Sequence, residues 1–344
     1  MKAMLLERIV SLRETADPLT LADFPVPVPG ENDLLLRVHA CGVCHTELDE
    51  IEGRTPPPVF PVIPGHQVVG EVVDRGRNVK DIDVGSRRGV AWIHSACGTC
   101  SFCRKGQENL CAGFRATGRD VHGGYAEYMV APAAFTYEIP DVFSSAEAAP
   151  LLCAGAIGYR SLMLAGIENG SVLGLTGFGA SGHLVLSLAR FLYPDSPVVV
   201  FARSEREQEF AKKLGAQWSG GTEAEPPESC DAIIDTTPAW LPVITALERL
   251  NPGGRLVINA IRKETSDRRL LADLDYERHL WMEKEVRSVA NITRSDVREF
   301  LGLAASMSMK PEIQVYSLND ANRALMEMKN HSIRGAKVLL PADS

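Results

Sequence analysis

Over the first 150 positions, apolar and polar residues alternate in short bursts. Leu34, Leu36, Val38 and Ala40 interleave with Leu35, Arg37 and His39 in a loose period of two, which predicts a strand. Val69-Gly70-Glu71-Val72-Val73 followed by Asp74-Arg75-Gly76 reads as a second strand entering a turn. Prolines at 25, 27, 29, 56 to 58, 61 and 64 suit short strands and loops more than helices. Near position 151 the rhythm changes. Apolar runs at 172–176, 198–202, 232–235 and 256–260 now alternate with stretches of helical period at 182–192 and 206–214. Ser204 and Glu207 precede the second of these stretches at the spacing of a capping box. Strand, helix and strand in this order predict an α/β region with a parallel, doubly wound sheet beside the β-rich half. The tail closes with an apolar run at 336–340, expected to return as a strand to the first half.

Composition narrows the class. At 344 residues, 45% hydrophobic and 23% charged, the chain is globular rather than fibrous or disordered, and long enough for two domains. With 36 Lys+Arg against 44 Asp+Glu the net charge is −8, which speaks against nucleic acid or an anionic membrane as a partner. No segment holds 18 uninterrupted apolar residues, and MKAMLLERIV lacks the apolar core of a signal peptide, so a cytoplasmic protein is expected. Eight cysteines lie at 41, 44, 97, 100, 103, 111, 153 and 230, four of them within fifteen residues. In a reducing compartment such crowding points to ligands rather than bridges.

Cys97-Gly-Thr-Cys100-Ser-Phe-Cys103, with Cys111 a short loop later, can wrap one tetrahedral zinc with no open position, which makes it structural. An iron–sulfur cluster is the alternative at similar spacing. Cys44, His66 and Cys153 each read alone as a packed core residue. Taken together they form a Cys₂His set with one open zinc position, the chemistry needed to acidify an alcohol. Nothing in their spacing joins them across a hundred positions. Gly177-Phe-Gly179-Ala-Ser-Gly182 sits between an expected strand and an expected helix, the setting in which such glycines bind a dinucleotide pyrophosphate.

The segments CHTEL, PGHQVVG, CGTCSFCRKGQENLC, APLLCAG and GFGASG stand in the order and spacing of the zinc-dependent medium-chain alcohol dehydrogenases. The chain resembles that family along essentially its whole length. It is most similar to the bacterial propanol-preferring branch, including the stretch RSVANITRSD. The resemblance implies a GroES-like catalytic domain built from 1–150 and 291–344, with a Rossmann domain at 151–290. It also implies two zinc ions per chain, a catalytic one on Cys44, His66 and Cys153 and a structural one on Cys97, Cys100, Cys103 and Cys111. Thr46 would accept the alcohol proton, Glu47 would bond the zinc-ligating histidine, and His45 and Arg334 would contact the pyrophosphate. Trp92 would narrow the substrate pocket toward small primary alcohols and their aldehydes, with aryl or allylic alcohols as the alternative. A homodimer or homotetramer is expected. The rivals are a zinc-independent enoyl or quinone reductase, whose branch lacks both cysteine sets, and a catalytically silent zinc-binding member of the fold.

Three positions depart from the family pattern. Gln67 replaces the usual Glu beside the ligand histidine, and Asp49 replaces the terminal histidine of the proton relay. About 20 residues past the glycines, where an acid would hold the NAD ribose, the chain has Ala202, Arg203 and Ser204. Arg203 could pair with a 2′-phosphate, so NADP is favoured over NAD.

Overall fold

The computed structural model describes residues 1–330 and 335–341. The chain forms two compact units, one from Met1–Cys153 with Ile292–Ser344 and the other from Ala154–Asn291.

The first unit is built on a seven-stranded sheet. Its backbone order is Ile313–Ser317, Ala336–Leu340, Asp33–Val43, Gln67–Arg75, Arg87–Val90 and Thr136–Glu138, with Tyr128–Pro132 also paired to Asp33–Val43. The tail strand lies antiparallel to Asp33–Val43, with Val338 opposite Gly42 and Leu339 opposite Cys41. The loose period of two breaks down along Asp33–Val43, where Leu34, Leu35 and Leu36 are all buried. Register shifts at Leu35/Leu36 and at Val38/Ala40 let consecutive residues face apolar surroundings. The proline-rich half also contains helices that its composition argues against. Ser145–Pro150 begins with a capping box in which Ser144 Oγ accepts from Glu147 N and the Glu147 carboxylate accepts from Ser144 N. This local chemistry, Ser followed three positions later by Glu, outweighs the breakers around it.

The second unit is a six-stranded sheet in the order Trp218–Gly220, Val198–Phe201, Leu173–Thr176, Cys230–Asp235, Leu250–Ile258, Glu285–Ser288, every pair parallel. Leu173–Thr176 and Val198–Phe201 are buried at every position, because helices cover both faces of a parallel sheet. The helices Ala180–Leu192 and Glu205–Lys213 fall where the sequence places them, and the second opens with the Ser204–Glu207 capping box. Together the two sheets give the Rossmann and GroES-like architecture expected from the sequence. Among the described residues, only the helical stretch Ser145–Ala165 is long and apolar enough to cross a bilayer, and 67% of its apolar window is buried inside the protein.

Candidate functional site

The strand Asp33–Val43 delivers the chain to Cys44, the first residue of a helical start. Cys44 N donates to Glu47 Oε2 at 2.7 Å, so an acid at the third position of the helix His45–Ile51 satisfies a free amide and pins the Glu47 side chain. The other oxygen, Glu47 Oε1, accepts from His66 Nδ1 at 2.6 Å with both side chains buried. That bond fixes the imidazole so that Nε2 faces Cys153 Sγ at 3.3 Å. Gly65 holds φ +97°, and any side chain there would overlap the Tyr125 ring, so the turn before His66 requires glycine. Cys153 arrives on a single turn of wide helix, Leu151–Gly155. The ligand atoms of Cys44, His66 and Cys153 lie within 4.8 Å of one another. One tetrahedral zinc spaces its S and N donors roughly 3.5–3.8 Å apart, so these three residues fit it.

The charges fit as well. Burial alone would lower the His66 pKa, but the Glu47 carboxylate overrides it and the imidazole is held well above its ordinary value. The Cys153 thiol holds Cys44 well below its usual range, and Cys44 in turn drives Cys153 up. Metal ligation takes cysteine as thiolate and histidine as neutral imidazole. A divalent ion here would displace the remaining protons.

The second set is in the same unit. Cys97, Cys100, Cys103 and Cys111 also keep their sulfurs within 4.8 Å of one another, and Cys97 Sγ lies 3.9 Å from Cys103 Sγ. Two sulfurs on a single zinc stand about 3.8 Å apart, given Zn–S of about 2.3 Å. Backbone amides point at the sulfurs: Cys100 N donates to Cys97 Sγ at 3.3 Å, and Gly113 N to Cys111 Sγ at 3.3 Å. The amides of Thr99 and Cys100 bring the Cys97 thiol down to about 5. The lobe is tied back to its unit by Glu108, whose Oε1 accepts from Arg294 N at 3.0 Å and from Arg294 Nε at 2.9 Å.

Around the Cys₂His set, Thr46 Oγ1 lies 3.6 Å from Cys44 Sγ, and His45 is exposed on the first turn of the helix. Trp92 stands with its ring centroid 6.4 Å from that of His66. Asp49 is buried in an ion pair with Arg54 Nε at 2.5 Å. Gln67 lies opposite Gly42 in the neighbouring strand, where any side chain at 42 would collide with its amide. Sequence reasoning missed Glu50. It is 1% exposed, and among the described residues neither carboxylate oxygen has a hydrogen-bond partner. Burial first, then Glu47, pushes its pKa well up. The Glu47-x-x-Glu50 spacing, which puts both acids on one helix face, was the available signal.

In the second unit Gly177 takes φ +79° at the end of Leu173–Thr176, and Gly179 leads into the helix Ala180–Leu192 with no side chain capping its first amides. A Cβ on Gly182 would meet Gly177 O at 2.8 Å, so the tight strand-to-helix turn needs glycine at both places. Uncapped amides at this helix start suit a pyrophosphate. Beside the turn, buried Asp235 accepts from Thr176 Oγ1 at 2.6 Å and from Thr237 Oγ1 at 2.7 Å, and pairs with Lys263 Nζ. At the end of Val198–Phe201, Arg203 is exposed, and Ser204 Oγ donates to Glu207 Oε2 at 2.9 Å. Arg334 lies outside the described residues.

Residues 30–141 match the family model of the alcohol dehydrogenase GroES-like domain. The chain is 42% identical over 328 residues to the "Probable alcohol dehydrogenase AdhA" of Mycobacterium tuberculosis (strain CDC 1551 / Oshkosh), covering 94% of this chain and 93% of that one. It is 33% identical to an alcohol dehydrogenase of Geobacillus stearothermophilus, covering 95% and 97%. Among solved structures, it is similar to the cobalt- and zinc-bound thermostable alcohol dehydrogenase of Pyrobaculum aerophilum, with TM-score 0.87, 25% identity and 99% of each chain covered.

Proposed function

The chain belongs to the zinc-dependent medium-chain alcohol dehydrogenases, and from that membership we propose that it interconverts small primary alcohols and aldehydes at Cys44, His66 and Cys153. The observation that carries this reading is the Cys₂His set itself, three donors within 4.8 Å of one another with their histidine oriented by Glu47. Bound zinc would supply Lewis acidity that lowers an alcohol's pKa, and a nicotinamide dinucleotide would take the hydride as the alcohol becomes an aldehyde.

The chain's own residues do the rest. Cys44 and Cys153 supply sulfur donors, and His66 supplies Nε2 because its other nitrogen is committed to Glu47. Thr46, half-buried next to Cys44, accepts the alcohol proton and passes its own onward. Asp49 ends that relay in place of a histidine, with its carboxylate paired to Arg54 Nε. Trp92, packed edge-on toward His66, limits the width of the substrate. His45, Arg334 and the turn Gly177, Gly179, Gly182 bind the pyrophosphate.

Cys97, Cys100, Cys103 and Cys111 hold a second, structural zinc, for two per chain. NADP is favoured over NAD. Arg203 is exposed at the end of its strand, and of the two acids in the first turn of the following helix, Glu205 and Glu207, Glu207 is occupied in the Ser204 capping box. The edge strand Glu285–Ser288 is exposed at every position and flanked by exposed Trp281 and Met282, which supports pairing between copies in a homo-oligomer. Cysteines gathered as ligands support a reducing, cytoplasmic setting. Metal analysis coupled to a cofactor assay tests this reading. Two zinc per chain, with alcohol-dependent reduction that has the higher kcat/KM for NADP, is expected. One zinc and no turnover would overturn it, and a strong preference for NAD would reverse the cofactor assignment.

A further inference from the structure

Arg119 stands over Trp92, whose ring faces the ligand His66, and nothing in the reaction above uses it. Its loop is fixed against the metal ligands. A Cβ on Gly118 would meet Gly65 N at 2.8 Å, and Gly65 immediately precedes His66. Thr117 N donates to Trp92 O, and Thr117 Oγ1 to Ala91 O, each at 2.8 Å. Arg119 Cζ therefore sits 5.9 Å from the Trp92 ring centroid, which is itself 6.4 Å from that of His66.

The guanidinium is only partly committed. Asp120 accepts from Nε and from Nη2, both at 2.9 Å, while among the described residues no acceptor faces Nη1, and the side chain is 28% exposed. The pair is formally neutral, so it offers N–H donors rather than net positive charge. Trp92 Nε1 is buried and is another donor without an acceptor among the described residues. Two donors lacking partners beside a metal centre match a ligand oxygen, and a site built to hydrogen-bond an oxygen discriminates against substrates that lack it.

We propose that Arg119 is a specificity-determining residue that favours small alcohols and aldehydes bearing a second, uncharged oxygen, such as short diols and hydroxyaldehydes, over hydrocarbon alcohols of equal length. A carboxylate in that place would meet Asp120 and gain no net counter-charge. The proposal rests on the alcohol–aldehyde reading and narrows its substrate class.

The test compares kcat/KM for a two- to five-carbon series of terminal diols, the matching primary alcohols and the matching ω-hydroxycarboxylates, in the zinc-loaded enzyme and in Arg119→Met and Arg119→Lys. At the favoured length the wild type should prefer the diol by about tenfold, expressed in KM because the added contact is the same in ground and transition states. Arg119→Met should bring the ratio to about one while primary alcohols keep their turnover, and Arg119→Lys should retain part of the preference. An unaltered melting temperature shows that a lost preference is not lost folding. A diol preference absent at every length, one that survives in Arg119→Met, or a stronger preference for the carboxylates would each overturn the proposal and leave the parent reading standing. An enzyme that oxidises none of these alcohols overturns both.

Discussion

Glu47 connects two halves of the metal site with one side chain: Oε2 closes the helix at Cys44, and Oε1 orients His66. Glu47→Gln keeps the shape but loses the charge that favours the donating imidazole. Zinc affinity at the Cys₂His set should fall 10- to 100-fold, read by competition with a chelator while the four-cysteine zinc stays bound. Glu50 acts through burial instead. Its folded-state pKa is raised, so its contribution to stability is fully present below the unfolded value of about 4.3 and is lost as pH rises through the folded pKa. Glu50→Gln has no proton to lose. It should match the wild type near pH 4 and be on the order of 1–3 kcal/mol more stable at pH 8, as measured by denaturant melts at both pH values. At this scale the sequence was partly legible. Cys97 through Cys111 announce themselves by spacing, whereas Cys44, His66 and Cys153 come together only through the fold, and their grouping rested on family resemblance. Glu50 left only its i, i+3 spacing from Glu47 as a signal and Arg119 none, because an acid in a helix and an arginine in a loop read as surface residues until burial and neighbours are known.

Among the elements, local chemistry at helix starts proved more informative than composition. Ser204 with Glu207, and Ser144 with Glu147, set helix starts whatever the proline content nearby. The same device begins Arg294–Ser306, where Thr293 Oγ1 accepts from Asp296 N at 3.2 Å and Thr293 N donates to Asp296 Oδ2 at 2.6 Å. Thr293→Ala should cost about 1 kcal/mol in a denaturant melt. Its effect should also reach the cysteine lobe, because Arg294, the next residue, supplies both donors to Glu108. Faster amide exchange at 97–111 in this variant would register that link. The strands were legible wherever the sheet buries both faces, since a continuous apolar run then needs no alternation. Asp33–Val43 blurred because its bulges break the period of two.

For the molecule as a whole, the two ligand sets, if each holds a zinc as proposed, predict separable losses. In the four-cysteine lobe Cys97 is exposed, whereas His66 is buried. Cys103→Ser should therefore release one zinc per chain and lower the melting temperature, with the Cys₂His zinc retained, as read by metal analysis after dialysis. The α/β character of the chain and its β-rich partner region were legible from the change of rhythm near 151. The return of the tail to the first half was expected, but its pairing with Asp33–Val43 and the register of that pairing could come only from packing. That pairing has a consequence for biosynthesis. Residues 154–291 form a continuous stretch that can settle while the ribosome is still at work, but Asp33–Val43 waits some three hundred residues for the strand that seals its edge. A nascent chain halted at 330 would carry all the residues of the 154–291 unit, while the edge of Asp33–Val43 that Ala336–Leu340 covers would still be open.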